Sequence, residues 1–568
     1  MSLFQDEKAD FLIPDYQRPY AWTEKECQTL WDDVVLFSFP DNNSDNFKRS
    51  DEYFLGSIVT FNNENNQMEV IDGQQRLTTL MLVLRCFYDL FLEAQDANSK
   101  STKENIAKCL WKTDEYGKLN ETELKINSEV ATDNDKDEFL NILKTGKVAE
   151  HSKSQYAENY MFFKKKIAEF QKIFPGYITL LPNRLLKNCI LLPIEAESQD
   201  AALRIFSTLN DRGKPLSDAD IFKAQFYKYF SNKGQKENFI KEWKQLEEKC
   251  EAIFEPTSGT SMDEIFTRYM YYERAKKGIK SSTTEALRKF YETDGYKLLK
   301  NDDTFTNLQL LADFWTDVVN QDTGRFSDRI LRMLFVLNYA PNGMWTYFVS
   351  VYFMQNKDMD GKLDDDKFYT FLNKTIAFIW AYAITNPGVN ALRTPIYAEM
   401  VNIVKDTEVR FDAFKFDLAQ LRITMENFNF NNIRPITKSM LTWWAFHDIN
   451  QKLLQMEMRF DIEHIFSRNR QEKENSLSDD KLLEVLGNKV LLEKKINIRA
   501  SDYKFSDKKK YYSGFTSKSG SVKDGTKINE LLELAKTNTD FIEADIKKRN
   551  NEILDAFMGY LKNNQLGV

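Results

Sequence analysis

Histidine is nearly missing: the 568 residues contain three, His151, His447 and His464. A zinc centre built from several imidazoles is thereby close to excluded. Cysteine is scarce too, with five residues, Cys27, Cys86, Cys109, Cys189 and Cys250, scattered singly and without a CxxC. An odd, dispersed set reads as reduced thiols, neither a disulfide framework nor a thiolate metal site. Any metal would rest on carboxylates, amides and at most one imidazole, a donor set suited to Mg²⁺ or another hard ion. No apolar run reaches the roughly 18 residues of a membrane span. The opening MSLFQDEKAD has neither the basic nor the apolar part of a secretion signal, so the expected compartment is the cytoplasm, with no membrane partner. A P-loop, GxxxxGK[ST], is also absent. The net charge of −8 lacks the excess of positive charge that a nucleic-acid coat carries, so any DNA contact must come from a local patch.

What is present is a globular composition, 42% hydrophobic and 14% aromatic. At this length the chain should split into about three or four domains. The expected fold class is multidomain and predominantly α, with α+β ends. The expected boundaries are 1–235 (with a helical insertion at about 95–185), a helical middle region at 236–430, and 431–568. Near the start, FLIPDYQRPYAW carries prolines that forbid a helix through it. YFLGSIVTF and QMEVIDG flank the turn-rich NNENN and read as a hairpin. In the next stretch Leu77, Leu80, Met81, Leu84, Tyr88 and Phe91 recur at helical spacing, which predicts a buried helix.

Two short stretches carry chemistry. In FDIEHIFSRN (460–469) an alternating apolar run ends on Glu463 and His464. A histidine titrates near neutral pH and can accept a proton. Adjacent residues on a regular strand face opposite ways, so both could serve one ion only where the strand ends and turns. Further on, LGNKVLLEKKIN offers a Gly487-Asn488 turn, a short β-run and Asn497. The same region is basic, with Lys494, Lys495, Arg499, Lys508 and Lys509 among its cations and Tyr511 and Tyr512 interleaved. Such a patch can track a phosphate backbone, though lysine-rich stretches are more often solvated faces. In IDGQQRLTTL (71–80) a strand ends at Asp72-Gly73 and a helix begins. Free amides there, with Arg76 in the first turn, could hold an anion; an ordinary strand-to-helix turn explains the same pattern. His447, in WWAFHD, is read as a packing residue, and His151 is given no role.

The ordered set at the C-terminus (EHI, then GN before an aliphatic strand, then Asn497, then Phe505-x-x-Lys508-Lys509) resembles the His-Me finger, HNH-like, nuclease domain of GmrSD-type restriction endonucleases, over about 431–530. The resemblance implies a ββα-metal fold with His464 as general base and Asn488 orienting its imidazole. Glu463 and Asn497 would hold one divalent ion, Mg²⁺ or Mn²⁺, and Lys494, Lys495, Arg499, Lys508 and Lys509 would contact DNA. It departs from the family at Phe466-Ser467, where the family usually has proline shortly after the HI, and at Asp502, where asparagine is expected. At the other end IPDYQRPYAW, LGSIV, DGQQRLTTL and FSTLNDRGKPLSDADIFKA resemble the ParB/sulfiredoxin-like N-terminal domain of the same family. This implies a nucleoside triphosphate site, for GTP, ATP, CTP or UTP, at Gln17, Arg18, Asp72, Gly73, Gln75, Arg76, Asn210 and Arg212. Together the resemblances imply an NTP-dependent or NTP-regulated, metal-assisted DNA endonuclease of an antiviral restriction system, acting on phage DNA that carries a modification. A homodimer is left open. The alternatives are a DNA-binding regulator with an inactive nuclease domain, a nuclease whose ParB-like domain only docks DNA, and a toxin acting on RNA.

Overall fold

The computed structural model describes residues 4, 6, 9–114, 116–130, 133–198, 201–202, 205, 217–256, 259–388, 390–501, 504–517 and 520–568. The chain divides into two units, Met1–Gln245 and Leu246–Val568.

The first unit is built on a mixed sheet of β1 (Phe11–Ile13), β2 (Tyr53–Asn62), β3 (Met68–Asp72), β4 (Ile126–Ser128) and β5 (Cys189–Ala196), in the order β4-β1-β3-β2-β5. The β2–β3 hairpin turns through the asparagine cluster as its alternation predicts, and it is antiparallel; β1 pairs in parallel with β3 and β4, and β2 with β5. Helix α1 (Gln74–Leu90) leaves β3 directly and is buried from Gln74 through Tyr88. Its apolar positions surround the helix, so it is covered on all sides, in part by α2 (Gln155–Ile173). Gly73, at φ +86°, makes the strand-to-helix turn possible, since a Cβ there would sit 2.9 Å from the Ser57 carbonyl.

In the second unit the helical stretch and the C-terminal segment share one body, where a separate middle domain from residue 236 was expected. The reason is aromatic burial. Helix α3 (Asp328–Leu337) presents Phe335 to Phe446 of α4 (Pro435–His447), ring centroids 4.9 Å apart, and both Phe335 and Tyr339 meet the ring of Phe460 edge-on. The Arg332 guanidinium adds hydrogen bonds to the carbonyls of Phe446, Asp448 and Gln451. Apolar helix faces of this kind do not announce their partners in sequence. The segment continues through β6 (Phe460–His464), β7 (Lys489–Glu493), α5 (Lys494–Ala500), α6 (Phe505–Ser513) and α7 (Glu543–Asn563). No helix among the described residues is long and apolar enough to cross a membrane.

Candidate functional site

Strands β6 and β7 pair antiparallel, with His464 opposite Lys489 and Glu463 opposite Val490, and α5 follows β7 at once. Strand β7 is buried along its whole length, which explains its unbroken aliphatic run. The turn that leads into it is held by α7. Arg549 Nη1 donates to the carbonyls of Leu486, Gly487 and Lys489 at 2.8, 3.1 and 2.7 Å, and Gly487 N donates to Asn550 Oδ1 at 3.0 Å. A side chain at 487 would run into the Ile546 carbonyl, so glycine is required there.

His464 ends β6, and 13% of its side chain is exposed. Its Nε2 is sealed from solvent and lies 3.4 Å from Glu484 Oε1, close enough for an ion pair but without hydrogen-bond geometry. Glu484 is itself pinned: Oε2 accepts from Lys489 Nζ at 2.6 Å and Oε1 from Arg468 Nη2 at 2.5 Å. Lys489 is fully buried, and its ammonium also donates to Asn432 Oδ1. Burial drives the His464 pKa down from 6.5 to about 4; Lys489 pushes the same way and Glu484 opposes it. The imidazole is therefore neutral across the physiological range. Burial alone would raise the Glu484 carboxyl, but hydrogen bonds from Lys489 and Arg468 hold it below the usual carboxylate range.

The other implied residues take different places. Asn488 makes no hydrogen bond to the imidazole. It is fully buried, its Oδ1 accepts from Phe466 N at 2.8 Å and its Nδ2 donates to the Phe466 carbonyl at 3.0 Å. It clamps the backbone that follows His464, so it acts on the base only through the chain. Glu463 faces away from His464, because β6 stays regular to its end and the alternation is not broken. Its Oε1 accepts from Lys508 Nζ at 2.6 Å and from Tyr512 OH at 2.8 Å, and Lys508 also donates to the His464 carbonyl. Asn497 turns its amide to Asp461, 3.5 Å away. Among the described residues no group of three or more His, Cys, Asp or Glu side chains is placed to hold a metal. With an ammonium seated on Glu463, the residues present do not fit the divalent-ion site the resemblance implies.

Of the basic residues, Lys494 and Lys495 are exposed and free to meet a phosphate backbone. Arg499 is half-buried and donates to the Asp524 carbonyl, and Lys509 to that of Asn538. Lys508 is buried and committed to Glu463, which removes it from any DNA surface. Local sequence offered no signal for Glu484, Arg468 or Asn432 around the imidazole, and Lys489 counted only as one more cation.

In the first unit the motif residues near α1 mostly serve the backbone. Gln17 Nε2 donates to the Val70 and Ile71 carbonyls at 3.3 and 3.1 Å, and its Oε1 accepts from Gln74. Gln75 accepts from Ala21 N at 2.6 Å and donates to the Pro19 carbonyl at 3.0 Å, strapping the 14–22 loop to the helix. Arg76, expected at a triphosphate, is buried and donates to the Ser57 carbonyl at 2.9 Å beneath Gly56. Arg18 is half-buried and Asp72 closes β3 beside Gly73. Asn210 and Arg212 lie outside the described residues.

Residues 1–227 match the family model for the GmrSD restriction endonuclease, N-terminal domain, and residues 409–556 the one for the GmrSD restriction endonucleases, C-terminal domain. No curated protein matches the chain.

Proposed function

We propose that this chain, which belongs to the GmrSD restriction endonuclease family, hydrolyses DNA phosphodiesters at the exposed edge of His464. The observation that supports this most is the two-strand-and-helix unit of β6, β7 and α5, with a neutral, nearly buried imidazole at the end of its first strand. A neutral imidazole accepts a proton from water; the water oxygen attacks phosphorus and the bond to the departing sugar oxygen breaks. Lys494 and Lys495, exposed just past the far end of the strand pair, would neutralise phosphates further along the backbone, so binding weakens with salt.

The substrate is read as phage DNA carrying a modification, with the N-terminal domain sensing it under nucleoside triphosphate control. What supports this part is the match of residues 1–227 and the resemblance of IPDYQRPYAW and DGQQRLTTL. The test is a cleavage panel. Plain, hydroxymethylated, glucosylated and phosphorothioated DNA are incubated with and without each NTP, and with Mg²⁺ present or chelated, beside His464→Ala. Loss of cutting by roughly 10²–10⁴-fold in the variant is expected. Cutting that survives the substitution removes His464 from the reaction, and no cutting by the intact chain under any condition favours a DNA-binding regulator.

A further inference from the structure

We infer that Glu484 is a positioning residue for His464: its carboxylate holds the imidazole as the Nε2–H tautomer and so reserves Nδ1 for accepting the proton. This rests on the reading of His464 as the base. Nε2 is sealed from solvent, so of the two ring nitrogens only Nδ1 can exchange a proton with water. The group facing Nε2 is the Glu484 carboxylate, Oε1 at 3.4 Å. A lone pair on Nε2 would be set against that negative charge, whereas an N–H there gains an acceptor through a small rotation of the ring.

Glu484 is equipped to hold this position. Lys489 and Arg468 each take one of its oxygens, and its backbone carbonyl accepts from Phe430 N at 3.0 Å. Asn488, the residue the resemblance nominates for orienting the ring, has its Oδ1 on the Phe466 amide and its Nδ2 on the Phe466 and Leu483 carbonyls. The orienting task therefore falls to a carboxylate on the far side of the loop, fixed by a buried lysine whose second contact is Asn432. The arrangement follows the general logic in which one ring nitrogen's partner decides what the other can do.

Long-range ¹H–¹⁵N spectra of the ¹⁵N-labelled full chain at neutral pH test this directly. With three histidines, His464→Gln suffices to assign the signal. The intact protein should show Nε2–H alone at His464. Glu484→Leu combined with Lys489→Met replaces the ion pair by apolar groups and leaves no buried charge unpaired. It should populate both tautomers and lower kcat on the order of 10- to 100-fold with KM held. Glu484→Gln, which keeps a carbonyl acceptor, should restore the single tautomer and most of kcat. Nδ1–H in the intact protein overturns the inference, and so does an unchanged tautomer in the folded double variant. The first of these outcomes needs no variant to fold. The spectra also read the ring without any cleavage, so Nε2–H in a chain that cuts no DNA would sustain the positioning role while sinking the nuclease reading.

Discussion

The two motif-bearing regions, one in each unit, carry sequence signatures of similar specificity and use them in opposite ways. Around α1, the polar residues Gln17, Gln74, Gln75 and Arg76 hydrogen-bond backbone groups of β2, β3 and the 14–22 loop, or one another. Around β6, the backbone is held by Asn488 and Arg549, while His464 keeps a ring nitrogen without a hydrogen bond beside three pinned charges. A polar motif at a helix start can thus be framework, whereas a buried nitrogen left unsatisfied inside a rigid charged setting is a reason to look for chemistry.

The sharpest attempt on this contrast is Lys508→Met. It strands the Glu463 carboxylate in a buried position and should cost about 3–5 kcal/mol by chemical denaturation, recovered when Glu463→Leu is added. A variant as stable as the parent, with a newly tight Mg²⁺ affinity by calorimetry, would instead make Glu463 a metal ligand masked by its lysine. Next in size is Arg76→Ala, which leaves the Ser57 carbonyl without this donor and opens space beside Gly56. We expect a loss of about 2–4 kcal/mol. Should the melting temperature hold while nucleotide turnover vanishes, the α1 region is a binding site and the contrast fails.

Acid probes the same contrast through His464. An unfolded imidazole binds a proton near 6.5, the folded one only near 4. Between those values the unfolded chain carries more protons, so stability falls as the pH drops through this window, and above it the group contributes nothing. The loss is on the order of 3 kcal/mol. Calorimetric melts of the parent against His464→Gln should differ in slope there and nowhere above. The smallest effects belong to Lys494→Ala and Lys495→Ala: stability changes below about 0.5 kcal/mol, but the slope of log affinity against log salt, by fluorescence anisotropy, should fall by about one each.

Sequence alone disclosed what depends on neighbours along the chain. The β2–β3 hairpin was legible from alternation around NNENN, α1 from its spacing, and β6 and β7 from FDIEH and KVLLE. Pairings across long separations were not. Lys508 sits in KKK and reads as a solvated cation, yet it is buried against a carboxylate 45 positions away. Glu484, in the unremarked DKLLEVLG, gave no hint of facing the imidazole. The opposite orientation of Glu463 and His464 was open to deduction from strand alternation, since β6 stays regular to its end.

The grip of Arg549 and Asn550 on the Leu486–Asn488 turn sets a practical boundary for anyone wishing to work with the C-terminal segment alone. A fragment that stops before Glu543 would contain every residue of the paired strands, yet the bend between them would lose the hydrogen bonds from Arg549 and Asn550. The final helix supplied as a separate peptide would then be the natural missing half of a split protein.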